Sequence, residues 1–265
     1  MCIINDKAHV SNTRIFVSPD KTYKKQLTMY ENKVQTQIVN NAMILPVPSL
    51  FQGADVQLHD MSEYPKVMDD VNSVFETPFT LSHYSNSNSS SSSSLLDVVE
   101  CGSYLVSVVP TIDDFHRINA EVFVIDSNVQ DILRKYYWKQ YSFLVCLLKP
   151  GPEHTYHPIA YSHPLVSGKL FVPTRHHHGF STNEEITSFF DHEIFSVCAS
   201  AHPSEKWLGT IPSVISEQQV SDFEFPSLVN VMTKSILKGE YANSDFWFTV
   251  LDMPDTTDDG SCVVS

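Results

Sequence analysis

Ser142-Phe143-Leu144-Val145-Cys146-Leu147-Leu148 runs apolar at every position after the serine. A strand with one wet face alternates, whereas a strand covered on both faces carries apolar side chains throughout. Seven residues are also short for a helix. The stretch reads as a central strand, and a central strand requires paired neighbours on either side. Candidates stand along the whole chain. Arg14-Ile15-Phe16-Val17 stops at the turn cluster Ser18-Pro19-Asp20, and Gln26-Leu27-Thr28-Met29-Tyr30 alternates polar with apolar. Val39 to Leu45 is a longer stretch, apolar apart from Asn40 and Asn41, and is expected to end at Pro46-Val47-Pro48, where missing N–H donors interrupt a ladder. Tyr104 to Val109, Glu121 to Ile125, Pro158 to Tyr161, Lys169 to Pro173 and Ile194 to Ala199 add further strands.

Helical spacing is rarer. Val67, Met68, Val71 and Phe75 predict a helix within Tyr64 to Phe75, and a short one is expected at Asp113 to Ile118. Ser127 reads as the N-cap of a helix through Ile132, Leu133 and Tyr136. Leu228, Val231, Met232 and Leu237 predict another, opened by Phe225-Pro226-Ser227 and stopped by Gly239. Strands dominate, with no regular alternation of strand and helix. The expected class is α+β, a strand-rich single domain over 1–250 with a few packed helices. Ser85-Asn86-Ser87-Asn88 and the six serines to Ser94 form a low-complexity loop, and 251–265 is read as an acidic flexible tail.

Charge and length exclude several classes. Acids outnumber bases 31 to 17, giving a formal charge of −14 and a pI near 5.1. A phosphate-binding surface is basic, so nucleic acid is not an expected partner. No apolar run approaches a membrane span, and Met1-Cys2-Ile3-Ile4-Asn5 does not open as a signal peptide. Five scattered cysteines do not form a secreted disulfide framework. The expected location is cytoplasmic. Cys101, Cys146 and Cys198, each in or beside an apolar segment, read as small core residues.

Cys262-Val263-Val264-Ser265 has the form of a C-a-a-X box, whose terminal serine favours farnesyl. The expected partner is a protein farnesyltransferase, and the expected result is peripheral membrane attachment. One prenyl chain holds a protein only marginally. After Lys238 there is no base, while Glu240, Asp245, Asp252, Asp255, Asp258 and Asp259 are acidic, so anionic lipid repels this tail. The attachment is expected to be weak and reversible.

Seven of the 12 histidines lie between His154 and His192. In an extended segment His176 and His178 share one face, and two imidazoles at that spacing can share a metal. His192 or His157 would supply a third ligand, with Asp191 or Glu193 beside it. Such a site suits zinc or iron chemistry. No specific metal signature accompanies it, and the alternative is a set of hydrogen-bonded histidines packed on a sheet. Cys2, exposed as an amino terminus if Met1 is removed, would place a thiol beside an α-amine, the arrangement of N-terminal-nucleophile hydrolases. The alternative is a small residue packed under the first strand.

Met1-Cys2, Asn12 to Val17, Gln26 to Tyr30, Ala42 to Pro48, His157-Pro158, Leu170 to Thr174 and Asp191-His192 together resemble a broadly distributed family of uncharacterised proteins. The resemblance spans roughly residues 1 to 200, with the serine run as an insertion. It implies no activity, and it marks Cys2, His157, His176, His178 and His192 as first candidates for a site. Three classes stand open: a membrane-attached protein of unknown activity, an enzyme using these histidines or Cys2, and a non-catalytic interaction module.

Overall fold

The computed structural model describes residues 2–75, 95–178, 186–197, 199–200, 205–209, 223 and 230–250. The serine run and the tail with Cys262 lie outside them. Strands β1 (Cys2–Ile4), β2 (His9–Pro19), β3 (Lys25–Thr36), β4 (Ala42–Pro48) and β5 (Gln57–His59) precede helix α1 (Val67–Ser73). Then come β6 (Val99–Cys101), β7 (Tyr104–Val109), a 3-10 turn (Ile112–Arg117), helix α2 (Ser127–Tyr136) and β8 (Tyr141–Leu147). β9 (Gly151–Thr155), β10 (Ile159–Pro164), β11 (Lys169–Val172), β12 (His176–His178) and β13 (Thr187–Val197) follow. The last are β14 (Ala199–Ser200), β15 (Glu205–Gly209), β16 (Asn230–Ala242) and β17 (Phe246–Val250).

One sheet has the order β12-β1-β4-β8-β7-β6, a second β15-β16-β13-β2-β3-β10-β5 with β9 also on β3, and a small third β11-β17-β14. The first two pack face to face. Ile4, Met43, Leu45, Val106, Leu144 and Cys146 from the first meet Ile15, Val17, Tyr30, Ile159, Tyr161 and Ile194 from the second. The residues next to these, Ile3, Ile44, Val145 and Phe143, point to the opposite face and pack with Ile112, Phe115, Val129 and Leu133 of the 3-10 turn and α2. On the far face of the second sheet, Phe16, Met29 and Phe195 pack with Val67, Met68 and Val71 of α1. The layers are therefore helix, sheet, sheet, helix. Each inner strand is covered on both faces, which is why β4 and β8 need apolar residues at consecutive positions. Each fully buried aliphatic side chain contributes about 1.5–3 kcal/mol. The molecule is mainly β, with the few helices short and peripheral.

β8 is central as expected, lying between β4 and β7. Four expectations are corrected. β4 continues through its prolines, pairing Pro46 with Phe143 and Pro48 with Tyr141. Ser49 N–H donates to Gln140 O, which turns odd-numbered N–H groups toward β8, so Pro46 and Pro48 present their nitrogens to the other side. There, among the described residues, β1 pairs over Met43 and Ile44, short of either proline. The expected helix over Val231, Met232 and Leu237 is strand β16, zipped to β13 from Thr187↔Ala242 to Val197↔Met232; long-range pairing outweighs local spacing there. Leu228 and Phe225-Pro226-Ser227 lie outside the described residues. Glu121 to Ile125 is not a strand: Val122 and Phe123 N–H groups turn back to Asn119 O, and Phe123 plugs the core beside α2. The α2 N-cap is Asp126, whose carboxylate accepts from Asn128 N–H, rather than Ser127.

Candidate functional site

The histidine strand β12 lies parallel to β1 at the edge of the first sheet, with Cys2 opposite His176, Ile3 opposite His177 and Ile4 opposite His178. A clamp holds it there. Asn243 Oδ1 accepts from His176 N–H at 2.8 Å while Asn243 Nδ2 donates to His176 O at 2.8 Å. This side-chain amide replaces a neighbouring strand. Asp245 Oδ1 accepts from the N–H groups of Thr174 and Arg175 at 3.0 and 2.9 Å, and its Oδ2 accepts from the Tyr137 hydroxyl. Burial and the Asp245 charge push the Tyr137 pKa well up. The Arg175 guanidinium lies 3.7 Å above the Tyr136 ring. Together α2 and the β16–β17 turn fix the segment that carries His176.

The His176 ring packs edge-on against His192 of β13, with centroids 4.7 Å apart, and both touch Phe190. His192 is 1% exposed and His176 8%. The two imidazoles thus meet in the interior between the sheets, beside an aromatic ring. His178 is held one strand residue pair from His176, opposite Ile4. His157 stands elsewhere, at the β6–β7 hairpin. Its Nε2 accepts from Ser103 N–H at 2.8 Å, so the proton sits on Nδ1 and is donated to Pro158 O at 3.0 Å. Burial lowers its pKa. The structure therefore brings together His176 and His192, with the Cys2 backbone alongside, and does not bring His157 to them. Among the described residues no group of three or more His, Cys, Asp or Glu side chains is placed to hold a metal ion.

A second constellation escaped the sequence reading. A cleft of about 360 Å³ opens on the face of the second sheet that carries α1. Arg14 of β2, Glu31 and Lys33 of β3 and Asp69 of α1 line one side. Asp191 and Glu193 of β13 and Lys238 of β16 line the other. A bulge in β2 between Ser11 and Arg14 shapes it. There Asn12 adopts φ 51° and its N–H donates to Asp191 Oδ2 at 3.0 Å. Arg14 bonds both Glu31 and Asp69 at 2.5 Å. Burial alone would lower the Arg14 pKa, but the two carboxylates outweigh it and raise it. The Glu31 pKa is raised too, because burial of a 2% exposed carboxyl outweighs the gain from Arg14. The pair is attractive, and the deeper partner bears the desolvation. Behind them, Lys234 reaches Asn72 Oδ1 at 2.7 Å and Glu193 at 3.4 Å. Charges at i and i+2, as in Glu31/Lys33 and Asp191/Glu193, were the available signal that one strand face is polar. The adjacency of these strands was not visible.

No protein-family model matches the chain. In fold it is similar to the crystal structure of baculovirus P35, with a TM-score of 0.51, 13% identity, and coverage of 95% of this chain and 100% of that one. A mutated baculovirus P35 after caspase cleavage matches with a TM-score of 0.49 and 13% identity, over 92% of this chain and 98% of that one. The caspase-8/P35 complex matches with a TM-score of 0.47 and 11% identity, over 91% and 97%.

Proposed function

We propose that this chain is a non-catalytic interaction protein that captures a protein partner. One observation carries the reading: the histidines best suited to chemistry are spent inside the fold. His176 and His192 pack ring to ring between the sheets, and both ring nitrogens of His157 are bonded to backbone groups, Ser103 N–H and Pro158 O. The open, charged feature is the cleft, whose side chains of both signs suit recognition of a partner's polar surface. The whole-length fold likeness to P35 supports choosing a protease as the first partner to assay, since P35 is a protein described in complex with caspase-8. Size-exclusion chromatography of the chain mixed with caspase-8 is expected to show a joint peak. Asp191→Lys with Lys238→Glu is expected to weaken it at least ten-fold. Separate elution rejects the reading; a complex indifferent to the double variant rejects only the cleft as its surface.

A second reading has its own observation. The Cys2 backbone lies in register with His176, whose ring touches His192, and loss of Met1 would make Cys2 the amino terminus of that strand. Intact mass tests it, and a retained Met1 excludes it.

Membrane attachment through farnesyl on Cys262 is the companion proposal, supported by the C-a-a-X form of 262–265. Among the described residues no helix is long and apolar enough to cross a membrane. Mass analysis from a eukaryotic host is expected to show farnesyl on Cys262; the unmodified mass would reject it.

A further inference from the structure

Where β4 ends and β8 begins, we propose a docking surface for an anionic lipid membrane. Ser49 N–H donates to Gln140 O at 2.9 Å, one step beyond the Pro48↔Tyr141 pair. This lays the loop after β4 beside the turn that follows α2. The loop is tightly built. The Asp55 carboxylate accepts from the Ser49 hydroxyl at 2.5 Å and from the N–H groups of Leu50 and Phe51 at 2.8 and 3.2 Å. The Ser49 oxygen in turn accepts from Gly53 N–H at 2.8 Å. These bonds hold the backbone while leaving Leu50 51% and Phe51 68% exposed. In the adjoining turn, two residues before Gln140, Trp138 is 51% exposed.

The charge around these tips runs against the rest of the molecule. Arg134-Lys135-Tyr136-Tyr137-Trp138-Lys139-Gln140 contains three bases and no acid, in a chain of net charge −14. Arg134 lies 5.3 Å from the Trp138 ring centre and is paired with Asp113 at 2.7 Å, while Lys135 and Lys139 are exposed. Asp55, the nearest acid on the loop, spends its oxygens on the loop itself. Exposed apolar side chains near an exposed tryptophan and exposed lysines match a bilayer interface, where rings sit at headgroup depth and ammonium groups meet lipid phosphates. The basic turn offsets the acidic 251–265 segment, which repels such a surface.

The sample is protein made in bacteria, which lacks prenylation, so the outcome is independent of Cys262. Sedimentation with phosphatidylcholine vesicles, with and without phosphatidylserine, is read together with Trp fluorescence. Retention is expected on phosphatidylserine vesicles only, with a blue shift, and is expected to weaken with salt. Each lysine near an anionic surface is worth about five-fold in binding, so Lys135→Ala with Lys139→Ala should cost roughly twenty-five-fold. Phe51→Ser should reduce retention, and Lys66→Glu beside α1 should leave it unchanged. Melting at the wild-type temperature identifies variants that remain folded. Failure to bind either vesicle overturns the proposal. So does undiminished binding by folded Phe51→Ser and double-lysine variants, or capture by an acidic protein without vesicle binding.

Discussion

Gly102 sits at φ 56°, and a β-carbon there would lie 2.3 Å from His157 Nε2 and 2.8 Å from Asp60 Oδ1. Both the left-handed backbone and the contact require glycine. Gly102→Ala is expected to cost about 2–3 kcal/mol in urea unfolding. A loss indistinguishable from zero would mean that the hairpin does not bear on His157. His163 is 1% exposed and donates from Nδ1 to Pro164 O at 2.9 Å. Burial drives its pKa down to about 4, below the usual value of 6.5. The unfolded chain therefore binds the extra proton between these values. Its stabilising contribution is full above pH 6.5 and falls by about 1.4 kcal/mol per unit as pH drops toward 4. His163→Gln should flatten that part of the stability curve; an unchanged slope would place the acid sensitivity elsewhere. At this scale the sequence marked His157, His176, His178 and His192 as candidates; the structure packs His176 on His192 and sets His157 apart. Their roles depended on what surrounds each ring, which spacing does not contain.

At the scale of elements, the clamp on β12 is made by side chains far along the chain. Asp245→Ala leaves the Thr174 and Arg175 N–H groups and the Tyr137 hydroxyl without their acceptor. The expected loss is about 2–4 kcal/mol, with faster hydrogen exchange at His176. Unchanged exchange there would contradict the clamp. On the second sheet, Arg14→Ala strands Glu31 with 3% of its side chain exposed and should cost about 2–3 kcal/mol, whereas Arg14→Met with Glu31→Met should cost less. Equal losses would remove the case for a desolvated pair. Strands such as Ser142–Leu148 were legible because burial on both faces leaves a continuous apolar run. The β16 segment was not, because Val231, Met232 and Leu237 also fit helical spacing and its eventual partner, β13, lies some forty residues away in sequence. Pro46 and Pro48 misled for a related reason: whether a missing N–H matters depends on which side has a neighbour.

For the whole molecule, composition gave a strand-rich, acidic chain, and the structure arranges it as two sheets between short helices. The acidity proves uneven. Three bases gather at the α2–β8 turn, and paired charges of both signs gather over α1. The first grouping is a run in the sequence, but the second could not be read from neighbours in sequence, since the cleft joins β2, β3, β13, β16 and α1. Partner capture through that cleft is the central functional proposal. Titrating caspase-8 into the purified chain by calorimetry probes it most directly. Saturable binding is expected, weakened at least ten-fold by Asp191→Lys with Lys238→Glu; absence of binding would contradict it.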